Sequence, residues 1–273
     1  MSRSLESFSL DSKIVIITGG TGNLGVDYCA GLLKAGATVI SWDLNTKTEE
    51  VSKRLKECGA SIENFHNLEI DITNETEVQA AVQKCIESFG RIDALINNAA
   101  MNPTVGTDES KKLFVPYEQY PIELWEKELK VNLTGMMICI KAVAPVMMRQ
   151  RNGSIVNIAS EVANIAHDHR VYSEPNKFKS IAYVTTKTGV LGLTRQWAAR
   201  LGLYNIRVNA FSPGGVQSPN VPEDFAKKFG DMNMFGRMAR PGEYNGIIIF
   251  LCSDASSFMT GSNLIVDGGK SSW

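Results

Sequence analysis

Tyr183 and Lys187 are the pair of residues whose types and spacing most directly suggest chemistry. They are four positions apart, so on a helix they share one face. A tyrosine with its ordinary pKa of about 10 exchanges protons poorly near neutrality. A neighbouring ammonium group favours the phenolate and lowers that pKa. Ser160 follows an apolar segment upstream, where its hydroxyl can hydrogen-bond a substrate oxygen. Together these residues predict proton exchange with an alcohol or a carbonyl group.

A glycine-rich segment, residues 18–25, carries the second chemical pattern. Glycine recurs there at 19, 22 and 25, after a β-branched run and before a helical stretch. Gly19 permits a tight turn, Gly22 lets backbone N–H groups approach a pyrophosphate, and Gly25 lets helix and strand pack closely. The pattern predicts a dinucleotide-binding turn, although a tight turn without a ligand uses some of the same glycines.

Asp43 ends the second predicted strand, 18 residues after Gly25. A carboxylate at this place accepts hydrogen bonds from the adenosine ribose hydroxyls and repels a 2′-phosphate. Leu44 and Asn45 add no cation, and Lys47 is the nearest one along the chain. We therefore expect NAD rather than NADP as the cofactor. The alternative for Asp43 is a helix-capping role.

The ends of the third and fourth predicted strands complete the cofactor pattern. Asp71 and Ile72 form a polar and apolar pair suited to the edge and the face of an adenine ring. Residues 97–100, Asn-Asn-Ala-Ala, have small side chains that let the backbone pass close to a ligand. Ligands of parallel α/β sheets bind at the carboxyl ends of the strands, where all these residues lie.

Strands and helices alternate along the chain. Short apolar runs predict strands at 14–17, 38–42, 65–70, 94–96, 154–159, 207–211 and 264–266. Helices are predicted at 22–34, 46–58, 75–89, 121–151, 179–201 and 243–252. Strict alternation favours parallel pairing with helices on both faces. With no linker or internal repeat, residues 1–273 are expected to form a single doubly wound Rossmann domain of the α/β class, with a seven-stranded parallel sheet.

Composition excludes several other classes of protein. The 28 Lys and Arg residues balance 29 Asp and Glu, so the chain has no electrostatic footprint for nucleic acid. Five cysteines, none in a CxxC pair, predict free thiols rather than a disulfide framework or a zinc site. No signal-type stretch occupies residues 1–11, and no run approaches the ~20 apolar residues of a membrane span. We expect a cytoplasmic protein that binds neither a membrane nor a metal.

In combination, these motifs resemble those of the short-chain dehydrogenase/reductase family over essentially the whole chain. The resemblance is carried by residues 18–25, Asp71, residues 97–100, Asn132, Ser160, Tyr183, Lys187, Pro213-Gly214 and Asp267-Gly268-Gly269. It implies direct hydride transfer between NAD and a hydroxyl or carbonyl carbon of a small molecule. It also implies a homo-oligomer, a dimer or the family's usual tetramer, in which the helices carrying Asn132 and Tyr183 pair.

The resemblance further implies a role for each catalytic residue. Tyr183 is the implied general acid/base, and Lys187 tunes it while holding the nicotinamide ribose. Ser160 orients the substrate oxygen, and Asn132 holds a water that links Lys187 to solvent. The cofactor contacts expected from the pattern and the resemblance are Gly19, Thr21, Gly22, Asn23, Leu24, Asp43, Leu44, Asp71, Ile72, Asn98, Ala99, Ala100, Tyr183, Lys187, Pro213, Gly214, Val216 and Ser218.

Three residues depart from the family pattern. Short members usually have glycine in place of Asn23, and the spacing of glycines at 19, 22 and 25 instead resembles the extended sugar-nucleotide epimerases and dehydratases. Ala100 and Ser218 are conservative replacements for glycine and threonine. A sugar epimerase or dehydratase that retains its NAD therefore stays open as an alternative, as does a nucleotide-binding regulator without catalysis.

Three segments, residues 101–120, 161–179 and 217–236, are expected to form the substrate loops, and the first two are longer than the family pattern. Charges such as His167, Asp168 and His169 in the second loop are read as solvated, as contacts to a polar or anionic substrate, or as a metal site. The Phe and Met residues of the third loop are consistent with either a lid or a core stripe.

The long segment between Ser160 and Tyr183 is also similar to that of oxidoreductases of flagellin-glycan or nonulosonic-acid sugar synthesis. This similarity implies a sugar or a sugar phosphate as the substrate.

Overall fold

Seven strands form one sheet in the computed structural model, which describes residues 3–44, 48–103, 105, 107–174 and 176–273. The strands, β1 to β7, are Ile14–Thr18, Thr38–Asp43, Phe65–Glu69, Ala94–Asn97, Gly153–Ile158, Ile206–Pro213 and Asn263–Val266. All pair in parallel, in the order β3-β2-β1-β4-β5-β6-β7. The predicted seven-stranded, doubly wound Rossmann domain is thereby confirmed. The order reverses between β1 and β4, which is where a ligand crevice opens in such sheets.

Ten α-helices occur in the described part of the chain. They are, from α1 to α10, Arg3–Glu6, Asn23–Lys34, Thr48–Glu57, Glu75–Phe89, Asp108–Leu113, Ile122–Leu129, Met136–Gln150, Ile181–Leu201, Glu223–Asp231 and Asn245–Cys252. Apart from the long predicted helix at 121–151, the bounds of the predicted strands and helices agree with the structure to within two residues. Asn45 and Lys47, weighed above for cofactor choice, lie outside the described residues.

The sheet separates two apolar cores. Helices α2 and α10 pack together on one face, where Val26, Leu32 and Leu251 are buried. Helices α4, α7 and α8 cover the other face, where Val143 and Val190 have no exposed surface. The five residues of β1 are buried throughout, as expected of a parallel strand covered on both sides.

The predicted long helix at 121–151 is interrupted, which corrects that expectation. A π-helical turn, Lys130–Gly135, separates α6 from α7. Within this turn, the Asn132 side chain leaves the helix and accepts a hydrogen bond from the Met101 backbone N–H at 2.7 Å. Gly135 packs so closely on Ile72 that a Cβ would lie 2.7 Å from Ile72 Cδ1. Such contacts are typical of π-bulges, which recur at functional sites.

The stretch Ile122–Gln150 is long and apolar enough, by length and composition, to cross a membrane. The sequence itself contains no unbroken run of the ~20 apolar residues that a membrane span needs. Half of the most apolar window is buried inside the protein, and α7 packs on α4 and β5. These contacts are those of a core helix, which passes the same test of length and composition.

Two helices within the predicted substrate loops were missed by the sequence reading. They are α5 in the first loop and α9 in the third. Together with the second loop they build a small apolar cluster that we call the loop core; its buried members are Leu113, Phe114, Tyr120, Val171, Tyr172 and Ala182. Phe225 of α9 packs on Tyr172 with ring centroids 5.8 Å apart. All three loops therefore meet over the beginning of α8.

Candidate active site

The glycine turn between β1 and α2 is shaped by contacts within the protein at two of its three predicted positions. Gly19 has φ +65°, and a Cβ there would lie 2.8 Å from Ala99 Cα. A Cβ on Gly25 would lie 2.1 Å from the Gly19 carbonyl oxygen. At Gly22, by contrast, a Cβ would meet only that same oxygen, at 3.4 Å. Packing therefore explains Gly19 and Gly25 but leaves room above Gly22.

Room at Gly22 is what a dinucleotide phosphate requires. Gly22 is the N-cap of α2 in extended conformation, and no side chain caps this helix end. Backbone N–H groups in the first turn of a helix have no helical acceptors and favour an anion. The residues present at this turn thus fit the pyrophosphate of a dinucleotide cofactor.

Thr18 and Asn98 clamp the glycine turn to the end of β4. The Thr18 hydroxyl accepts the N–H groups of Asn98 and Ala99, both at 3.0 Å. The Asn98 side-chain amide donates to the carbonyl oxygens of Thr18 and Gly19 at 3.1 and 2.9 Å. The Asn98 side chain therefore holds the shape of the turn, and its cofactor contact stays a prediction.

The two predicted carboxylates of the cofactor side also bind the backbone. Asp43 Oδ2 accepts the Thr21 N–H at 3.1 Å, which joins the end of β2 to the glycine turn. Asp71 Oδ1 accepts the Thr73 N–H at 2.8 Å, in the turn that leads into α4. Leu44, next to Asp43, is 68% exposed, whereas Ile72 is buried. Asp43 thus binds the glycine turn through the Thr21 N–H.

Tyr183, Lys187 and Ser160 come together at the ends of β5 and α8. Tyr183 and Lys187 are both buried, and Lys187 Nζ lies 5.6 Å from the centroid of the Tyr183 ring. The Ser160 hydroxyl lies near the Tyr183 phenol and acts to lower the pKa of that phenol. The sequence prediction that these three residues share one site agrees with this arrangement.

The pKa of Tyr183 corrects a prediction made from the sequence. Burial raises this pKa to about 12, and the Ser160 hydroxyl opposes the rise. Lys187 is not among the groups that lower it; its Nζ donates to the Ile158 carbonyl at 2.7 Å. Burial also lowers the pKa of Lys187 to about 7, which disfavours its ammonium form. In this structure burial therefore outweighs the predicted ion–phenolate attraction.

Asn132 lies in the π turn, fully buried between the first substrate loop and α8. Its side-chain oxygen accepts the Met101 N–H, and its amide group lies 3.4 Å from the Thr186 hydroxyl. Thr186 precedes Lys187, so Asn132 joins the loop to the helix that carries the reactive pair. Its predicted role in holding a water stays a prediction.

The segment after β6 packs against the chain's last motif. The Gly214 N–H donates to the Val266 carbonyl at 3.0 Å, and a Cβ on Gly214 would lie 2.9 Å from Asp267 Cα. Pro213 ends β6, and Val216 forms a parallel bridge with Ala239. Ser218 lies partly buried just beyond. This places the segment at the same sheet edge as Ser160.

The sequence did not identify three residues near Tyr183 as site residues: Ser180, Glu128 and Tyr120. Ser180 is the buried N-cap of α8, and its hydroxyl accepts the Tyr183 N–H at 3.1 Å. The same hydroxyl donates to Glu128 at 2.7 Å, and Tyr120 donates to the same oxygen of this fully buried carboxylate. A serine three residues before Tyr183 was a readable cap signal. Glu128 had no such signal, because its partners Tyr120 and Ser180 are 8 and 52 residues away, and neither distance is a helical spacing.

Glu161 and Lys270 form a buried ion pair beside Ser160, with Nζ and Oε1 2.6 Å apart. Lys179 lies over the Tyr183 ring, its Nζ 4.3 Å from the centroid, and donates to the side chain of Asn102. Burial lowers the pKa of Lys179 to about 8 and raises that of Glu161. Charged groups from distant parts of the chain therefore surround the phenol.

The two loop histidines do not form a metal site with Asp168. Among the described residues, no three His, Cys, Asp or Glu side chains lie close enough to hold a metal ion. Asp168 instead caps a short turn and pairs with Arg170. All five cysteines are free, as predicted.

Comparison with known proteins identifies oxidoreductases as relatives of this chain. A family model described as enoyl-(acyl carrier protein) reductase matches residues 22–271. The chain is 32% identical to a 3-oxoacyl-(acyl-carrier-protein) reductase of Thermotoga maritima, over 95% of this chain and 98% of that one. It is 33% identical to a trans-4-hydroxycyclohexanecarboxylate dehydrogenase of Sinomonas cyclohexanicum, over 94% and 92%.

A solved structure with a similar fold is a short-chain dehydrogenase from Leptospira borgpetersenii with bound NAD⁺. The two chains are 27% identical with a TM-score of 0.83, and the match covers 99% of this chain and 96% of the other. Family model, relatives and fold agree over nearly the whole length. The chain belongs to the short-chain dehydrogenase/reductase family of oxidoreductases.

Proposed function

We propose that this protein transfers a hydride between NAD(H) and a hydroxyl or carbonyl carbon of a small molecule. The observation that carries the proposal is the buried group of Ser160, Tyr183 and Lys187 at the sheet edge next to the glycine turn. A bound nicotinamide supplies the hydride donor or acceptor. The chain supplies the proton and the orientation of the substrate.

Tyr183 is the proposed general acid/base. With its pKa raised to about 12, the phenol holds its proton at neutral pH and is ready to donate it to a carbonyl oxygen. Ser160, beside this phenol, orients the same oxygen. Lys187 contributes positive charge when protonated and favours release of the proton in the oxidative direction. Asn132 fixes the helix that carries both.

The cofactor is proposed to lie over the glycine turn. Its contacts are the predicted set: Gly19, Thr21, Gly22, Asn23, Leu24, Asp43, Leu44, Asp71, Ile72, Asn98, Ala99, Ala100, Tyr183, Lys187, Pro213, Gly214, Val216 and Ser218. Asp43 supports NAD over NADP, because its carboxylate lies at the end of β2 and a 2′-phosphate there would be repelled. Exposed Leu44 offers apolar surface to an adenine ring.

The substrate is proposed to be a sugar or a related hydroxylated compound bound under the three loops. Polar and charged side chains at the beginning of α8 support this, since they suit a ligand with several hydroxyl groups. The similarity to oxidoreductases of flagellin-glycan or nonulosonic-acid sugar synthesis stays a prediction.

A homo-oligomer, dimer or tetramer, is also proposed. Large apolar side chains remain exposed on the edge strand and nearby, with Ile265 at 44% and Phe258 fully accessible, and subunit contacts would cover such surface. Light scattering coupled to gel filtration measures the state. The free cysteines support a reducing, cytoplasmic location.

The direct test is Tyr183→Phe, assayed through NADH absorbance with a panel of alcohols, keto sugars and sugar phosphates. Loss of the proton donor should lower kcat by roughly 10²- to 10⁴-fold, while NADH affinity stays near that of the wild type. Tyr204→Phe is the matched control, because Tyr204 lies beyond the far end of α8. Full activity of Tyr183→Phe would exclude the acid/base role.

The glycine spacing favours one second candidate, a sugar epimerase or dehydratase that recycles its NAD. Purified enzyme that retains NAD tightly and releases no net NADH during turnover would support this candidate over the first. Absence of turnover across the whole panel would favour a nucleotide-binding regulator.

A further inference from the structure

The proposed reaction leaves several charged and polar groups near Tyr183 without a task. They are Lys179, Lys270, Glu128, Glu161 and His167, which we call the polar cluster. They come from three separate parts of the chain, since Glu161, His167 and Lys179 belong to one loop, and most of them are buried. Lys270 has an acidic partner within 4.0 Å but Lys179 has none in the described part of the chain, and this difference indicates the charge of the ligand.

Lys179 is the amine whose charge is not neutralised in direct contact. Lys270 is paired with Glu161 at 2.6 Å, and Glu128 is bound by hydroxyl groups. Lys179 takes part in none of the ion pairs found within 4.0 Å among the described residues. Its Nζ lies instead between two aromatic faces, 4.3 Å from the Tyr183 centroid and 4.9 Å from that of Phe114. A cation in such a place attracts an anionic ligand group.

His167 gives an independent observation. Both of its ring nitrogens are buried and have no hydrogen-bond partner in the described structure. Burial, with Lys179 and Lys270 nearby, lowers its pKa to about 3, so the ring is neutral, with one nitrogen donating and the other accepting. Buried polar atoms are nearly always bonded, and unbonded ones call for an explanation. A ligand hydroxyl group can pair with either of these nitrogens, because it can donate to the unprotonated one or accept from the protonated one.

We propose that the substrate is a small hydroxylated carboxylic acid, whose carboxylate pairs with Lys179 and whose further hydroxyl group hydrogen-bonds His167. This inference rests on the proposed function, because it places the reacting carbon at Ser160 and Tyr183. It narrows the substrate from any alcohol or sugar to a sugar acid or another acid with more than one hydroxyl group.

A carboxylate fits the polar cluster better than a phosphate. Within the described residues, only one amine of the cluster has no acidic partner in contact, and its surroundings are the Asn102 side-chain oxygen and the aromatic rings of Phe114 and Tyr183. The nearby guanidinium of Arg170 is exposed and engaged by Asp168. A phosphate ester carries up to two charges and needs more donors than this when it leaves water.

The test compares acids with their uncharged primary amides. The probes are trans-4-hydroxycyclohexanecarboxylate and gluconate, each against its amide, together with a neutral polyol and a sugar phosphate. In the wild type, kcat/KM for an acid should exceed that for its amide by roughly 10-fold or more, as expected for a charge-assisted hydrogen bond. Lys179→Met should abolish this preference, mainly through KM.

Lys177→Met is the matched control. Lys177 lies in the same loop and its removal changes the net charge equally, but its amine is already paired with Glu174 at 2.9 Å. The preference for acids should persist in this variant. Calorimetric titration of each acid and amide into the enzyme with NADH should reproduce the difference as affinity, independently of turnover.

A second variant tests His167. Phenylalanine has a similar shape and no polar atoms, so His167→Phe should raise the midpoint of thermal unfolding while lowering kcat/KM for gluconate by roughly 10-fold. It should leave kcat/KM for trans-4-hydroxycyclohexanecarboxylate unchanged, because the one hydroxyl group of that acid is the reacting one. His66→Phe, on exposed β3, is the control. A purely structural His167 would leave kcat/KM unchanged.

The outcomes separate this inference from the proposed function. Equal rates for acid and amide, turnover of only polyols or sugar phosphates, or an acid preference that survives Lys179→Met would overturn the carboxylate assignment while leaving the oxidoreductase intact. If no probe is turned over by wild type, the proposed function fails, and this inference fails with it.

Discussion

On the glycine-turn side of the cleft, polar side chains bind the backbone: Thr18 accepts two N–H groups, and Asp43 accepts a third. Around Tyr183, charged side chains bind other side chains instead, as Glu161 binds Lys270 and Glu128 binds Ser180. Backbone partners fix geometry and have no pKa of their own. Side-chain partners hold charge in a buried place, so their state depends on pH and on ligand. The first side is thus built for shape and the second for charge.

Substitutions in the glycine turn should separate folding from cofactor binding. Gly25→Ala places a Cβ 2.1 Å from a carbonyl oxygen and should cost about 3 kcal/mol or more of unfolding free energy. Gly22→Ala, which meets only one atom at 3.4 Å, should cost less than about 1 kcal/mol but weaken NADH binding. Urea unfolding and NADH titration measure both. Wild-type affinity in Gly22→Ala would break the assignment of this space to a phosphate.

Lys187→Met should change how the free energy of unfolding depends on pH, because it removes a buried titratable group near Tyr183. Burial holds the pKa of Lys187 near 7 in the folded protein, against 10.5 for an ordinary lysine. Between these values the unfolded wild type binds more protons, so its stability rises with pH by up to about 1.4 kcal/mol per unit relative to the variant. The free energy of unfolding of Lys187→Met therefore exceeds that of the wild type most below pH 7, and the difference vanishes above pH 10.5. A difference in urea unfolding that is independent of pH would contradict this.

Asp43→Ala should relax the preference for NADH over NADPH by about 10-fold, equivalent to about 1.4 kcal/mol. The matched control is Asp71→Ala, which removes a carboxylate from the neighbouring strand end and should leave the ratio unchanged. The ratio of kcat/KM values for the two cofactors is the measurement. An unchanged ratio in Asp43→Ala would restrict Asp43 to its structural bond with Thr21.

Two helix caps give the smallest and sharpest contrast. Ser180→Ala and Asn74→Ala each remove a side chain that caps a helix, and each should cost about 1 kcal/mol of unfolding free energy. Only Ser180 links Glu128 to the backbone of Tyr183, so only its loss should lower kcat and shift the pH profile of kcat. Equal kcat in both variants would show that the Ser180 network is merely a cap.

Local patterns explain which features could be predicted. The β-branched run of β1, the glycine turn and the four-residue spacing of Tyr183 and Lys187 each express geometry within one turn or one strand, and the structure has them where they were expected. The packing of Lys270 against Glu161 joins residues 109 positions apart. Nothing local announces such a contact, because it depends on where the loops and the chain's end finally pack.

The pKa of Tyr183 shows the same limit in energetic form. Its neighbour in sequence, Lys187, was correctly identified, but the sign of the shift depends on how much water the fold removes. Burial is a property of the whole tertiary structure. The helix at 121–151 was likewise correct in extent, yet its interruption at Lys130–Gly135 depends on Asn132 reaching Met101.

The π-helical turn determines how α6 is rotated about the helix axis relative to α7. Each residue advances an α-helix by about 100°, and a π turn holds one residue more than an α turn. Deleting a single residue there would restore a regular helix and swing α6, with Glu128, by about a quarter turn relative to α7. The inserted residue therefore allows α7 to pack on the sheet while α6 packs on α8, the helix that carries Tyr183.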